Sequence, residues 1–137
     1  MANEASIIQL LGNGGDPVEY TVADGTGIAK GTIMKFSSDP RTIAASSADG
    51  DFIAGIAASE KVASDGSTTL AVYTNGIFDI ACTASTGSAV LGAPVKVTGA
   101  NTIAPADDDT IENSSEAFGV ALETGSASEV VAVKVRC

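Results

Sequence analysis

Gly31-Thr32-Ile33-Met34-Lys35-Phe36 and, 61 positions later, Gly92-Ala93-Pro94-Val95-Lys96-Val97 are the stretches on which the fold turns. Each opens on glycine, runs into aliphatic residues and carries lysine at its fifth position. The echo continues in the same order. Thr42-Ile43-Ala44 returns as Thr102-Ile103-Ala104, Gly55-Ile56-Ala57 as Gly119-Val120-Ala121, and Ser67-Thr68-Thr69-Leu70-Ala71-Val72 as Ser128-Glu129-Val130-Val131-Ala132-Val133. The offsets are 60, 64 and 61, so the slippage falls in the connections. Each half reads strand, turn, short strand, loop, strand, turn, strand. Two similar β units closing one small barrel or sandwich are expected, an all-β fold.

The text between the echoes agrees. Residues 18–22 (VEYTV) alternate with the period of a half-buried strand. Gly25-Thr26-Gly27, Ser38-Asp39-Pro40 and Asp65-Gly66 are turn signals, because glycine supplies positive φ and Asp and Pro favour local reversals. Residues 41–44 read as short and extended. Residues 52–58 (FIAGIAA) read as a buried strand in which Gly55 marks a bulge or a close backbone approach. Residues 68–74 and 77–82 flank Asn75-Gly76, the strongest hairpin signal in the chain, since a two-residue type I′ turn needs φ > 0 twice. Residues 84–91 (ASTGSAVL) are the one candidate short helix. Breaks every eight to twelve residues are the spacing of a sandwich or barrel.

Residues 1–17 stand apart from the barrel domain expected over 18–137. Ile7, Ile8, Leu10 and Leu11 form an apolar patch followed by the glycine-rich Gly12-Asn13-Gly14-Gly15. The patch is too short for an independent helix. It reads either as an edge strand packed on its own domain or as an arm that docks on a neighbouring chain. Those four residues are the candidate partner-binding positions.

Composition narrows function further. Ala, Gly, Ser and Thr make 65 of 137 positions, and aromatic residues only 4%. The core must therefore be aliphatic. There is no histidine, which excludes His-based acid–base catalysis, the usual catalytic triads and His-ligated zinc or haem. A net charge of −10 repels nucleic acid, whose binding needs clustered Lys and Arg. No run of about 18 apolar residues is present to span a bilayer. Met1-Ala2-Asn3-Glu4-Ala5 lacks the basic start of a signal peptide, so synthesis in a cytoplasm is expected. Two cysteines, Cys82 and Cys137, make no disulfide framework.

No cluster assembles a catalyst. Asp107-Asp108-Asp109 and Asp49-Gly50-Asp51 lack the alternating acids and closing glutamate of a calcium loop and read as solvated loops. Residues 25–31 (GTGIAKG) lack the Gly-Lys-Ser/Thr of a phosphate loop. Lys35 and Lys96 occupy equivalent strand positions and read as outward rungs. No enzyme, metal or cofactor is expected. A carboxylate-based enzyme domain would need two acids facing one pocket. A glycan-binding adhesin-like or tail-associated module would need an exposed aromatic cluster. Tyr20, Phe36, Phe52, Tyr73, Phe78 and Phe118 read as mostly buried or isolated.

Ala117-Phe118-Gly119-Val120-Ala121-Leu122-Glu123, followed by a small-residue turn and Glu129-Val130-Val131-Ala132-Val133-Lys134-Val135, resembles the C-terminal half of tailed-bacteriophage head decoration (cement) proteins. Residues 31–36 with 42–44, and 92–97 with 102–104, are similar to the first part of that family's pattern. The resemblance spans residues 18–136. It implies a β-tulip-like decoration fold displayed on the outside of an icosahedral virion, with the major capsid protein as partner, assembly as homotrimers at three-fold positions, and no membrane or nucleic-acid ligand.

Overall fold

The computed structural model describes residues 4–9, 17–83, 89–106 and 117–137. All of their regular structure is extended: β1 (Ser6–Gln9), β2 (Val18–Thr21), β3 (Ile33–Phe36), β4 (Ile43–Ala45), β5 (Ile53–Ala57), β6 (Thr69–Tyr73), β7 (Asn75–Cys82), β8 (Pro94–Val97), β9 (Thr102–Pro105), β10 (Gly119–Ala121) and β11 (Val130–Arg136). There is no helix among the described residues. Most of the segment read as a candidate helix, residues 84–88, lies outside them.

The first unit is a sheet in the order β2-β6-β5-β3-β4, and the second runs β7-β11-β10-β8-β9 with β1 on the other side of β7. Numbered within each unit, both orders read first, fifth, fourth, second, third. The second sheet closes into a five-stranded barrel because β9 also pairs in parallel with β7, Ala81 with Thr102 and Cys82 with Ile103. In the first unit the corresponding edges meet at a parallel bridge between Thr21 and Thr42. A second bridge, Ile28 with Lys61, returns as Ala89 with Gly125. The left-handed residues repeat as well: Gly31 with Gly92, Arg41 with Asn101, Ser64 with Ser128. The sequence echo is thus an echo of backbone conformation, with φ turning positive at matched points whether glycine, serine, Arg41 or Asn101 stands there.

The two units pack together through one shared core. Ile33, Ile53 and Ile56 of the first unit join Phe78, Ile80, Val95, Val97, Ile103, Val131, Val133 and Val135 of the second. A smaller cluster of Val22, Ile28, Met34, Ile43, Ala54, Ala57, Leu70 and Val72 fills the first unit alone. Strand β5 is therefore buried on both faces, which accounts for its unbroken apolar run. Its Gly55 lies where a Cβ would strike the Tyr73 carbonyl oxygen, and the β3–β5 register slips beside it. Polar contacts lock the layers: the Ile33 amide donates to Asn101 Oδ1 at 2.8 Å, and Ser46 Oγ donates to the Gly99 carbonyl at 2.9 Å.

Two local expectations fail. Asn75-Gly76 does not turn a hairpin. It opens β7, pairing with Arg136 and Val135 of β11, while β6 pairs with β2 and β5 in the other sheet. Here the chain crosses between units, and seven consecutive β7–β11 pairs outweigh the local turn preference. Arg41 is not extended. Its φ of 52° places it in the turn closed by the Thr42 amide on the Asp39 carbonyl, so the short strand begins at Ile43.

Candidate functional site

Among the described residues, strand β1 is the outermost strand of the second sheet, bonded only along its β7 side. Ser6 pairs with Asp79, Ile7 with Phe78 and Gln9 with Ile77, so Ile8 is the extra residue of a bulge. The bulge turns Ile8 outward to 52% exposure, and Ile7 retains 38%. Leu10 and Leu11 lie outside the described residues. Just before the strand, Ala5 is buried in the shared core and its amide donates to the Gly31 carbonyl at 2.6 Å. A cleft of about 570 Å³ follows this junction, lined by Glu4, Ser6, Ile7, Lys30, Ile56 and Ala57. The segment therefore packs on both units and presents aliphatic side chains at an open strand edge.

Lys35 and Lys96 do more than mark outward rungs. Both reach the loop over residues 47–51. Lys35 Nζ donates to Ser47 Oγ at 2.7 Å and lies 3.6 Å from Asp51, and Lys96 Nζ lies 3.1 Å from Asp49. The two acids of Asp49-Gly50-Asp51 are thereby divided between two lysines. Burial tends to raise the Asp51 carboxyl, but the amides of Ser47 and Ala48 and the nearby Lys35 outweigh it and hold it low. The Gly50 amide also donates to the Val97 carbonyl, so this loop is a structural clasp across the two units.

Sequence reading missed Lys61. Its side chain is buried at the end of the first unit, where Nζ donates to the Asp24 carbonyl at 2.8 Å, Asp24 Oδ1 at 3.1 Å and Asp65 Oδ1 at 3.0 Å. Desolvation pulls its pKa down, and the hydrogen bonds and charges of Asp65 and Asp24 more than reverse that, leaving it raised. Asp65 is held low, first by the Ser67 amide and then by Lys61. A lysine held by hydrogen bonds between two aspartates is a staple. Asp65 is only four residues on, but Asp24, which completes the staple, lies 37 residues away.

The aromatic residues divide. Phe78 and Phe118 are buried, while Phe36 and Phe52 are exposed. Phe36 is not isolated: it meets Tyr20 edge-on at 5.6 Å, with the Arg41 guanidinium 5.7 Å from the Tyr20 ring centre. Asp107, Asp108 and Asp109 lie outside the described residues. Among the described residues no three His, Cys, Asp or Glu side chains group as metal ligands. No helix there is long and apolar enough to cross a membrane.

The model of the phage cement protein family matches residues 13–137, both units in full. The chain belongs to that family. This cement protein is accordingly a structural protein of the phage capsid, and the sequence resemblance is upheld over nearly the whole chain. Among solved structures it is similar to the head fiber gp8.5 N base of bacteriophage phi29. The TM-score is 0.56 at 16% identity, over 87% of this chain and 93% of that one. At that identity the likeness is one of fold. No curated protein matches the cement protein's sequence.

Proposed function

We propose that this cement protein sits on the outer surface of an icosahedral capsid, binds the major capsid protein and stabilises the shell by bridging neighbouring capsomers, as a homotrimer. The observation that carries this reading is the open edge of β1 with Ile7 and Ile8 exposed on it. Soluble proteins blunt such edges with charge or proline, because an unpaired strand recruits another chain. Here the edge is aliphatic on a chain of net charge −10, so it is a specific place on an otherwise repellent surface. A strand added there gains main-chain hydrogen bonds, with the side-chain pockets setting specificity. The small rigid barrel behind the edge transmits load between capsomers, and its acidic surface does not compete for the packaged genome.

The test is reconstitution. Capsids assembled without the protein are mixed with the wild type and with an Ile7→Asp, Ile8→Asp variant. Wild type is expected to co-sediment, to raise the temperature at which the particles burst, and to appear as three-fold density outside the shell. The variant is expected to remain folded and unbound. Wild type that stays in the supernatant sinks the decoration role. Monomeric density at capsomer centres would reject the trimer alone.

The exposed Phe36 beside Tyr20 and Arg41 favours a second reading, a glycan-binding surface. Aromatic faces stack on sugars, and a glycan array scored with wild type against Phe36→Ala decides it.

A further inference from the structure

The internal duplication supplies a control that single-copy folds lack: every feature of one unit is measured against its twin. The twins Gly31 and Gly92 share a backbone conformation, with φ of 90° and 84°. Their amides make the same bond, to the carbonyls of Ala57 and Ala121. Their surroundings differ. Gly31 is buried beneath Glu4 and Ala5, and a Cβ on it would collide with the Ala5 carbonyl oxygen. Gly92 is exposed, and a Cβ built on it meets nothing within 4 Å. Among the described residues no amide donates to its carbonyl. The seat that the N-terminal segment fills on the first unit is, among the described residues, open on the second. Counting 61 positions on from Glu4 and Ala5 leads to Asp65 and Gly66, already committed to the Lys61 turn, so among the described residues no counterpart segment fills this place on the second unit.

The side chains around the open seat differ in step. Beside Gly31 stand Ala29, Lys30 and Ala58. Their counterparts at the same offsets are Val90, Leu91 and Leu122, which are 50%, 64% and 37% exposed. All three are more apolar than their twins, and all three are left in water. Thr124 Oγ1 fixes the Leu91 amide, and the Ala93 amide bonds the Val90 carbonyl, so the patch is a shaped surface. Uncovered aliphatic residues clustered in this way mark an interaction site.

We propose that the Gly92 seat receives an extended peptide segment of the major capsid protein. That segment places a small residue over Gly92, donates a main-chain amide to the Gly92 carbonyl, and covers Val90, Leu91 and Leu122 with aliphatic side chains. The twin shows the form of the occupant, since Ala5 does this at Gly31. A second copy of this chain is the poorer occupant. Among the described residues each copy carries one such segment and has already seated it, so lending it would vacate one seat to fill another. The inference rests on the capsid-binding reading above but uses a different face from the β1 edge.

The test compares full-length Leu91→Asp and Leu122→Asp with Val62→Asp, an aliphatic on the first unit about as exposed as Leu91. Affinity for capsids assembled without the protein is expected to fall by about tenfold or more in the first two and to match wild type in the third. Melting and oligomeric state stay unchanged in all three. A photo-crosslinker placed at Leu91 is expected to capture the major capsid protein. Unaltered capsid binding by both variants overturns the proposal. So does a crosslink to a second copy, or a loss of thermal stability with binding retained, which would show that the chain covers the patch itself. Failure of wild type to bind capsids is a separate outcome and rejects the capsid reading.

Discussion

Asn101 and Arg41 occupy the same place in the two units, both left-handed, and use it in opposite ways. Asn101 turns inward and accepts the buried Ile33 amide, while Arg41 turns outward over Tyr20. Asparagine tolerates positive φ, so the site is unstrained only with a short polar side chain. Asn101→Ala leaves the Ile33 amide unpaired and adds backbone strain, an expected loss of about 2–4 kcal/mol in denaturant unfolding. Asn101→Asp keeps the acceptor and is expected to lose less. Gly31→Ala and Gly92→Ala make a second matched pair. Both carry the strain of positive φ, but only Gly31 has Ala5 above it. Gly31→Ala is therefore expected to cost more by about 1–3 kcal/mol, and equal losses would show that the N-terminal segment does not sit there. Lys61 adds a pH signature. Its folded pKa is raised, so its contribution is full below lysine's ordinary 10.5 and fades as pH rises through the higher folded value. Asp65 is lowered, so its contribution is full above the ordinary 3.8 and fades as pH falls through the folded value. Thermal melts of Lys61→Met are expected to lose stability at neutral pH and to show a flatter alkaline limb than wild type. An unchanged alkaline limb would place the staple's charge elsewhere.

At the scale of elements, most strands were legible because short runs bounded by Gly, Asp and Pro carry their own signals. The glycine positions by themselves align the two halves, since Gly31 with Gly92 and Gly55 with Gly119 head matching runs. Three features were not legible, for one reason. Asn75-Gly76, Lys61 and Asn101 are decided by partners far along the chain, β11, Asp24 and Ile33, which no local window contains. The apolar change from Ala29-Lys30 to Val90-Leu91 was hidden because that segment read as the end of a helix. Strand β1 is the element whose removal is most informative. It pairs Ile7 with Phe78 of β7 and carries Ala5 into the shared core. Deleting residues 2–9 is expected to lower Tm by several degrees, leave a strand-dominated far-UV circular dichroism spectrum, and abolish capsid binding. Complete unfolding would make β1 indispensable to the barrel. Unchanged melting together with unchanged binding would leave it without a role.

The whole molecule joins two similar units without making them independent. The first unit's Ile33, Ile53 and Ile56 are buried in the core that the second unit builds. Neither half then has a complete interior of its own. Residues 17–74 alone would expose those three isoleucines, each worth about 1.5–3 kcal/mol of burial. That is comparable to the entire net stability of a small domain, about 5–15 kcal/mol. The clasp at residues 47–51, with Lys96 on Asp49 and the Gly50 amide on Val97, ties the layers from a second side. The full chain is therefore expected to unfold in one cooperative step, with calorimetric and van't Hoff enthalpies in agreement. The fragment over residues 17–74 is expected to show no cooperative transition. Ile33→Ala, placed at the junction, should shift the single transition of the full chain downward without splitting it, by about 2–5 kcal/mol. Two resolved transitions in wild type would mean that the units fold separately, and the duplication would then be one of domains. A single transition makes it a duplication within one domain, the rigid body that the proposed bridging of capsomers calls for.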